Sequence, residues 1–489
     1  MRLRGAMLRS VLQQNGAVLI TFVTGMVIAR LLAPREVGVY GVAMAAVNIA
    51  TAVKDFGISA YVISEPEHDE GLMRSAFGFT LVIAALLTAA LIALAGPVAS
   101  FYRDPALAPI LAIVALGPLS AQLAFPAIVT LNRAMRFDIL LAVGLAGACV
   151  QSAVAIGLAA CGVGSASLAW GYIANGVTVA GGAALSAPHT LRIKPSLRDG
   201  RRLLAFGGMM SSTMAIGALA MSMPEIVIGR ALGLADTALF TRAQNIVSII
   251  RNGLFAALMR PMLPKFGALE AQGLSLAPIY LRVIEAVTGV AWPAYLLLAI
   301  WSEPLVRLLY GPAWTGSAPL IPALAVAHGL TLAVAPHYDV LIVKRRVQLL
   351  FACESGLFAF SFVSLLVGVA FGLIGVALAL ALGGVLFAGC YLVVLRGIVG
   401  FRVRELLGVW GRSASAAAGV APIAVIMRLV CSDTPLGTLL GCAVSALAGM
   451  AAWTMVMRLT GHELDSQISA VAGRFLPPVW INARNGARL

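Results

Sequence analysis

The 489-residue chain is 61% hydrophobic and only 11% charged, with a mean hydropathy of +0.97. A soluble domain carries about 25% charged residues, so this composition excludes a water-soluble globular fold and gives an all-α polytopic membrane protein. The net charge of +14 reads as a topology signal and gives no reason to expect a nucleic-acid partner.

The basic N-terminus "MRLRGAMLRS" leads into an apolar run that is long enough to span and is not followed by a small-residue cleavage site. It is read as the first of about fourteen transmembrane helices, each needing about 20 apolar residues. Six fall at 12–32, 37–63, 75–97, 106–131, 138–160 and 164–187. Six more fall at 204–230, 236–259, 282–302, 317–342, 347–369 and 372–395, and a last pair at 413–431 and 436–457. The expected organisation is an N-terminal six-helix half (1–190), a basic cytoplasmic linker (191–203) and a C-terminal half (204–400). An additional helix pair (401–458) and a cytoplasmic tail (459–489) follow.

Most of the 34 basic residues fall inside when the N-terminus is cytoplasmic, and only Arg30, Arg35, Arg103, Arg230, Arg307 and Arg428 fall outside. Both termini are therefore expected in the cytoplasm, the chain being multi-pass. The acidic loop "SEPEHDEG" dissents, but acids weigh little in this rule.

Two echoes suggest duplication. "IARLLAPREVGVY" (28–40) returns as "IGRALGLADTALF" (228–240), with Arg, acid and aromatic residues in register. The stretch from Pro109 returns from Pro319, pairing Pro126 with Pro336, Leu131 with Leu341, and Arg136 with Arg346. Six spans per half is an even number, so the two six-helix repeats are parallel and a cavity between them is the expected binding place.

No G-x-x-x-x-G-K-S/T motif cradles nucleotide phosphates, and the cysteines (149, 161, 353, 390, 431 and 442) and histidines form no metal pattern. No catalytic residue, cofactor or metal is expected, and the chain reads as a carrier, not an enzyme. A membrane-embedded polysaccharide polymerase or ligase would call for a large outer loop, and none is visible. An accessory scaffold and a multidrug or cation antiporter remain as alternatives.

Ionisable groups at membrane depth mark sites. At about 100° per residue, Gln244, Asn245, Ser248, Arg251 and Asn252 share one arc of the eighth span, flanked by Arg242. In the second span Asn48 and Thr51 hold equivalent positions, with Asp55 on the same arc and Lys54 beside it. Arg251, Arg242 and Lys54 are candidates for a phosphate or pyrophosphate group, because guanidinium forks match such oxygens; internal ion pairing is the competing reading. Asp55 and Glu225 are candidate ion-coupling residues, or members of ion pairs. Arg30 and Arg230, at helix ends, snorkel. Glu354 and Asp339 read as anchors beside Lys344, Arg345 and Arg346. Pro126, Pro224 and Pro336 are expected to kink their helices.

"ARLLAPREVGVYGVAMA" followed by "KDFGIS", "LGLADTALFTRAQNI" with "ALMRPMLPKFGAL", and "LVRLLYGPAWTGSAPLIPALA" together resemble the bacterial oligosaccharide flippases of the MOP superfamily. The resemblance covers about residues 10–400. It implies a V-shaped bundle like that of multidrug and toxin extrusion (MATE) carriers. It implies transport of a polyprenyl-pyrophosphate-linked oligosaccharide, an O-antigen or exopolysaccharide unit, by alternating access, coupled to an ion gradient. A cationic lumen then receives the pyrophosphate, a role carried to Arg251, Arg242 and Lys54. Expected partners are the lipid-linked oligosaccharide, membrane lipids, and polysaccharide polymerase or export proteins. In related lipid-flipping members an extra helix pair forms a lipid groove.

Overall fold

The computed structural model describes residues 19–54, 70–198, 221–254, 261–432 and 434–460, with a few isolated positions between. Every regular element among them is helical. That is the chain's means of satisfying each backbone N–H and C=O within one segment, as a bilayer demands. Helix α1 spans Leu19–Leu31, α2 Pro34–Lys54 and α3 Glu70–Tyr102. Next come α4 (Leu107–Leu123), α5 (Phe125–Arg133), α6 (Phe137–Ala160) and α7 (Ala166–Ser186). Helix α8 covers 221–231, α9 Leu234–Leu254, α10 Met262–Ala271, α11 Ala277–Ile300 and α12 Ser302–Tyr310. Helices α13 (Leu320–Leu332), α14 (His337–Val343), α15 (Val347–Val369), α16 (Gly372–Val399), α17 (Val403–Val430) and α18 (Pro435–Thr460) complete the set.

Among the described residues eight helices are long and apolar enough to cross a membrane, nine if the bent pair α4–α5 is one span. In that count α13 and α14 form one span, while α2 and α9, 21 residues each, stand outside it. The first expected span is described from Leu19 onward as α1, whereas the seventh expected span and the C-terminal tail lie largely outside the described residues.

Bends fall where proline removes a helix donor. Helices α4 and α5 meet at 43°, with Pro126 in the first turn of α5. Pro336 stands at the start of α14, after the break that ends α13. Backbone specials recur at the same 210-residue spacing. Met135 (φ 54°) is matched by Arg345 (φ 56°), and Gly162 (φ 78°) by Gly372 (φ 74°). A left-handed non-glycine residue is uncommon, so two at equivalent turns are unlike a random pair.

Contacts divide the chain into two compact units, Met1–Thr241 with Leu309–Trp314, and Arg242–Leu308 with Thr315–Leu489. In the first, Val39, Val42 and Val47 of α2 pack with Leu91 of α3, Leu107 and Leu111 of α4, and Ala169 of α7. Thr88 donates to the Ala115 carbonyl (2.8 Å), which lies where α4 loosens. Asp104 accepts from Arg35 (2.6 Å) and from the Ala106 N–H (3.0 Å). A Cβ on Gly38 would run into the Leu234 carbonyl, so only glycine allows the N-terminal turns of α2 and α9 this approach. Trp314 is fully buried and donates its indole N–H to the Ala29 carbonyl at 2.7 Å.

In the second unit Tyr280, Ile284, Val334, Tyr391, Leu395 and Phe401 form the main core, with Tyr280 and Phe401 stacked at 5.4 Å. Helix α17 begins ten residues before the expected span. The sequence concealed this start behind Arg404 and Arg412. Glu405 caps the Arg402 N–H at 3.0 Å, and Arg412 forks onto Glu285 of α11 at 2.7 and 2.9 Å. The Glu285 side chain is only 6% exposed. Thr288 and Ser413 share a hydrogen bond (2.8 Å), and Trp453 of α18 donates to the Gly289 carbonyl (2.7 Å). The last helix pair is therefore built onto α11 by buried polar contacts.

Candidate functional site

Helix α9 carries the richest set of candidate residues. Gln244 and Arg251 are seven residues apart, two turns along one face. Both line a cavity of about 370 Å³ in the second unit, closed by residues of α13 to α16. His328 and Thr331 of α13, His337 of α14, Ser361 of α15 and Phe387 of α16 are further parts of its wall. Among the described residues no aspartate or glutamate lines it. Among the described residues Arg251 is in no ion pair, and its charge bears instead on His328 and Tyr295. Gln244 Oε1 is buried without a hydrogen-bond partner among the described residues. A buried, unsatisfied carbonyl oxygen is costly and is expected to meet a donor from water or ligand. Gly384 of α16 keeps this wall thin, because a Cβ there would come within 2.9 Å of the Ala327 carbonyl oxygen.

Other candidates sit elsewhere. Asn245 and Asn252 are exposed, and Ser248 donates to the Asn245 carbonyl at 2.9 Å. Arg242 is half-buried and outside the cavity lining. In the first unit Asn48 is exposed, and the Thr51 hydroxyl is spent on the Val47 carbonyl at 2.7 Å. Glu225 is half-buried and accepts from Thr241 at 3.4 Å. Asp55 and the side chain of Lys54 lie outside the described residues.

The anchor reading of Glu354 changes. Lys344 pairs with Glu270 at 2.7 Å, whereas Glu354 accepts from Tyr391 (2.6 Å) and faces His337 (3.7 Å). Sequence reasoning passed over His328, His337 and Glu285. The histidines had no motif around them, but an acid inside the span at 282–302 was itself a signal.

Behind the cavity lies an apolar groove of about 480 Å³, lined by Trp292, Tyr295 and Leu296 of α11, Ala325, Val326 and Gly329 of α13, and Ala414 and Ala417 of α17. Helix α13 thus has the polar cavity on one side and the apolar groove on the other. Trp292 ties the wall together by donating to the Gly329 carbonyl at 3.0 Å.

Known proteins give this geometry a context. The succinoglycan biosynthesis transport protein ExoT of Rhizobium meliloti is 26% identical over 325 residues, 66% of this chain and 65% of that protein. The teichuronic acid biosynthesis protein TuaB of Bacillus subtilis is 22% identical over 63% of this chain and 64% of its own length. The lipopolysaccharide biosynthesis protein WzxC of Escherichia coli is 23% identical over 78% of this chain and 79% of its own. The chain therefore spans just under two thirds of the first two relatives. In structure it is similar to the lipid II flippase MurJ in its inward closed conformation, with a TM-score of 0.72 at 13% identity over 92% of this chain and 99% of that one. It is also similar to an inward-facing multidrug resistance MATE family transporter of the MOP superfamily, with a TM-score of 0.55 at 15% identity over 84% of this chain and 98% of that one. These likenesses establish the fold, an all-helical multi-pass membrane protein. The family profile described as polysaccharide biosynthesis protein matches residues 27–319, and with more than half of its length matched the chain belongs to that family.

Proposed function

We propose that the protein is a flippase, with no enzymatic step, which moves a polyprenyl-pyrophosphate-linked oligosaccharide across the bacterial inner membrane by alternating access. The observation that carries this reading is the pairing of cavity and groove on either side of α13. An amphiphile with an anionic pyrophosphate and a long hydrocarbon chain needs both environments together. Arg251 offers a forked, permanently charged donor with no neutralising acid among the described residues, and the Gln244 amide adds donors beside it. The groove against α17 suits the lipid, which stays in the hydrocarbon phase. Arg242, Lys54, Asn48, Asn245, Ser248 and Asn252 are proposed to meet the glycan or pyrophosphate in other steps of the cycle, and Asp55 and Glu225 to take part in ion coupling.

The fourteen-helix layout belongs to the same proposal. Two parallel six-helix repeats, divided at the basic linker 191–203, are supported by the equal lengths of α2 and α9 and by the matched left-handed turns. The distribution of Lys and Arg supports a cytoplasmic position for both termini. A drug or cation antiporter of the same fold would need acids in its cavity to hold a cation, and the described lining of this cavity has none. The named transport relatives support a polysaccharide precursor as cargo.

The reading is tested in cells that lack the native gene. Arg251→Glu, produced at wild-type level, is expected to leave lipid-linked oligosaccharide on the cytoplasmic side; normal surface glycan in that strain would refute the role of Arg251.

A further inference from the structure

One polar cluster beside the Arg251 cavity has no part in the binding just described. The His337 ring lines the cavity, and its Nε2 lies 3.7 Å from Glu354 Oε1 of α15. Tyr391 of α16 donates its phenolic proton to the same carboxylate oxygen at 2.6 Å. His337 Nδ1 is 3.1 Å from the Val334 carbonyl, which can only accept. Nδ1 therefore carries a hydrogen, and Nε2, facing the carboxylate, is the nitrogen that gains or loses a proton. Phe387 and Tyr391 hold the imidazole at 5.0 and 4.3 Å between ring centroids.

Exposure rises along the pair, from 17% for the His337 side chain to 50% for Glu354. Glu354 is two turns from Ser361 on the same face of α15, and Tyr391 is one turn beyond Phe387 on α16. The cluster adjoins the cavity, with half of Glu354 open to its surroundings. The pair gives a proton a place to rest beside the cavity.

The packed elements carry further titratable or charged groups, among them Tyr338 on α14, Arg345 and Arg346 between α14 and α15, and Arg396 near the end of α16. Cys353 of α15 and Cys390 of α16 lie next to each other beside Glu354. Asp339 follows on α14, and Lys344 at its end is held by Glu270 of α10. Arg251 of α9 and His328 of α13 are the basic groups on the cavity's other walls. An imidazole–carboxylate pair accommodates one proton more or less with little movement. An anion at Arg251 favours a second positive charge in the same cavity, and by linkage that charge favours the anion equally.

We propose that His337 and Glu354, positioned by Tyr391, form a proton site coupled to anion occupancy of the Arg251 cavity. A proton is taken up at His337 Nε2 when a pyrophosphate group binds and is given up when it leaves. This rests on the anion-binding reading of Arg251. It places coupling in the second unit, whereas Glu225 belongs to the first.

The test uses the full chain in lipid nanodiscs with inorganic pyrophosphate as probe. Titration calorimetry in buffers of different ionisation heat, from about pH 6 to about pH 8, gives both the affinity and the protons exchanged. Wild type is expected to take up about one proton more per pyrophosphate than His337→Gln or Glu354→Gln. Its affinity should also rise more steeply as pH falls, while the variants follow only the titration of pyrophosphate itself. Tyr391→Phe keeps the ring and loses the donor, so its uptake should fall between the two even where another variant fails to fold. Equal proton uptake by wild type and the folded variants overturns the proton site and leaves the anion site standing. Pyrophosphate bound equally well by wild type and Arg251→Glu, or by neither, overturns the anion reading and the coupling with it.

Discussion

Arg251 and Arg412 both lie on helices of the second unit, and they are treated in opposite ways. Arg412 is closed down: it forks onto Glu285 at 2.7 and 2.9 Å, beside the Thr288–Ser413 bond that fastens α17 to α11. Arg251 is left open: among the described residues no acid lines its cavity and a buried Gln244 oxygen has no donor. A cation at membrane depth is expensive, so each arrangement needs a reason. At Arg412 the acid removes the cost and the pair fixes helix packing. At Arg251 the charge, in no ion pair among the described residues, is what an anionic ligand would complete.

The comparison breaks most sharply under charge reversal. Arg251→Glu should reduce transport by about thirtyfold or more, since losing one member of a desolvated charge contact costs about 2–5 kcal/mol and each 1.4 kcal/mol is about tenfold. The same substitution should leave the yield of folded protein unchanged, because no described ion pair depends on Arg251. Flipping and size-exclusion profiles measured on one preparation would separate the two effects.

Arg412→Ala should do the reverse. Removing the guanidinium that forks onto buried Glu285 is expected to cost about 3 kcal/mol of stability, read as a lower unfolding midpoint in detergent. Replacing both residues by methionine should recover most of that loss, because an apolar pair of similar volume carries no desolvation penalty. If the double replacement is as unstable as the single one, the pair is more than a neutralised contact. The smallest effect is expected at Gln244. Gln244→Leu removes one neutral hydrogen-bonding group and should weaken pyrophosphate binding by about tenfold or less, with stability unchanged or slightly raised as the orphaned oxygen disappears.

Much of this contrast could be read from the sequence, for physical reasons that differ by residue. Helix α15 begins and ends where hydropathy places it, because apolar length is a bulk property that survives without tertiary information. Arg251 and Gln244 were legible because a polar arc on an apolar helix has a periodicity of its own. The start of α17 was not legible. Arg412 looks like a loop cation until Glu285, 127 positions away, is seen to neutralise it. His337 and Glu354 were opaque for the same reason, since three elements meet there and no local pattern announces them. The apolar groove likewise comes from α11, α13 and α17 together, where each helix alone is an ordinary span.

The most direct test of the account reconstitutes the purified protein in liposomes with a fluorescent polyprenyl-pyrophosphate-linked sugar and follows its appearance in the opposite leaflet. Wild type should move it well above protein-free vesicles, and Arg251→Glu, equally folded and inserted, should fall to the protein-free rate. Transport by Arg251→Glu at the wild-type rate would contradict the central claim that the open arginine in the second-unit cavity receives the anionic group of the cargo.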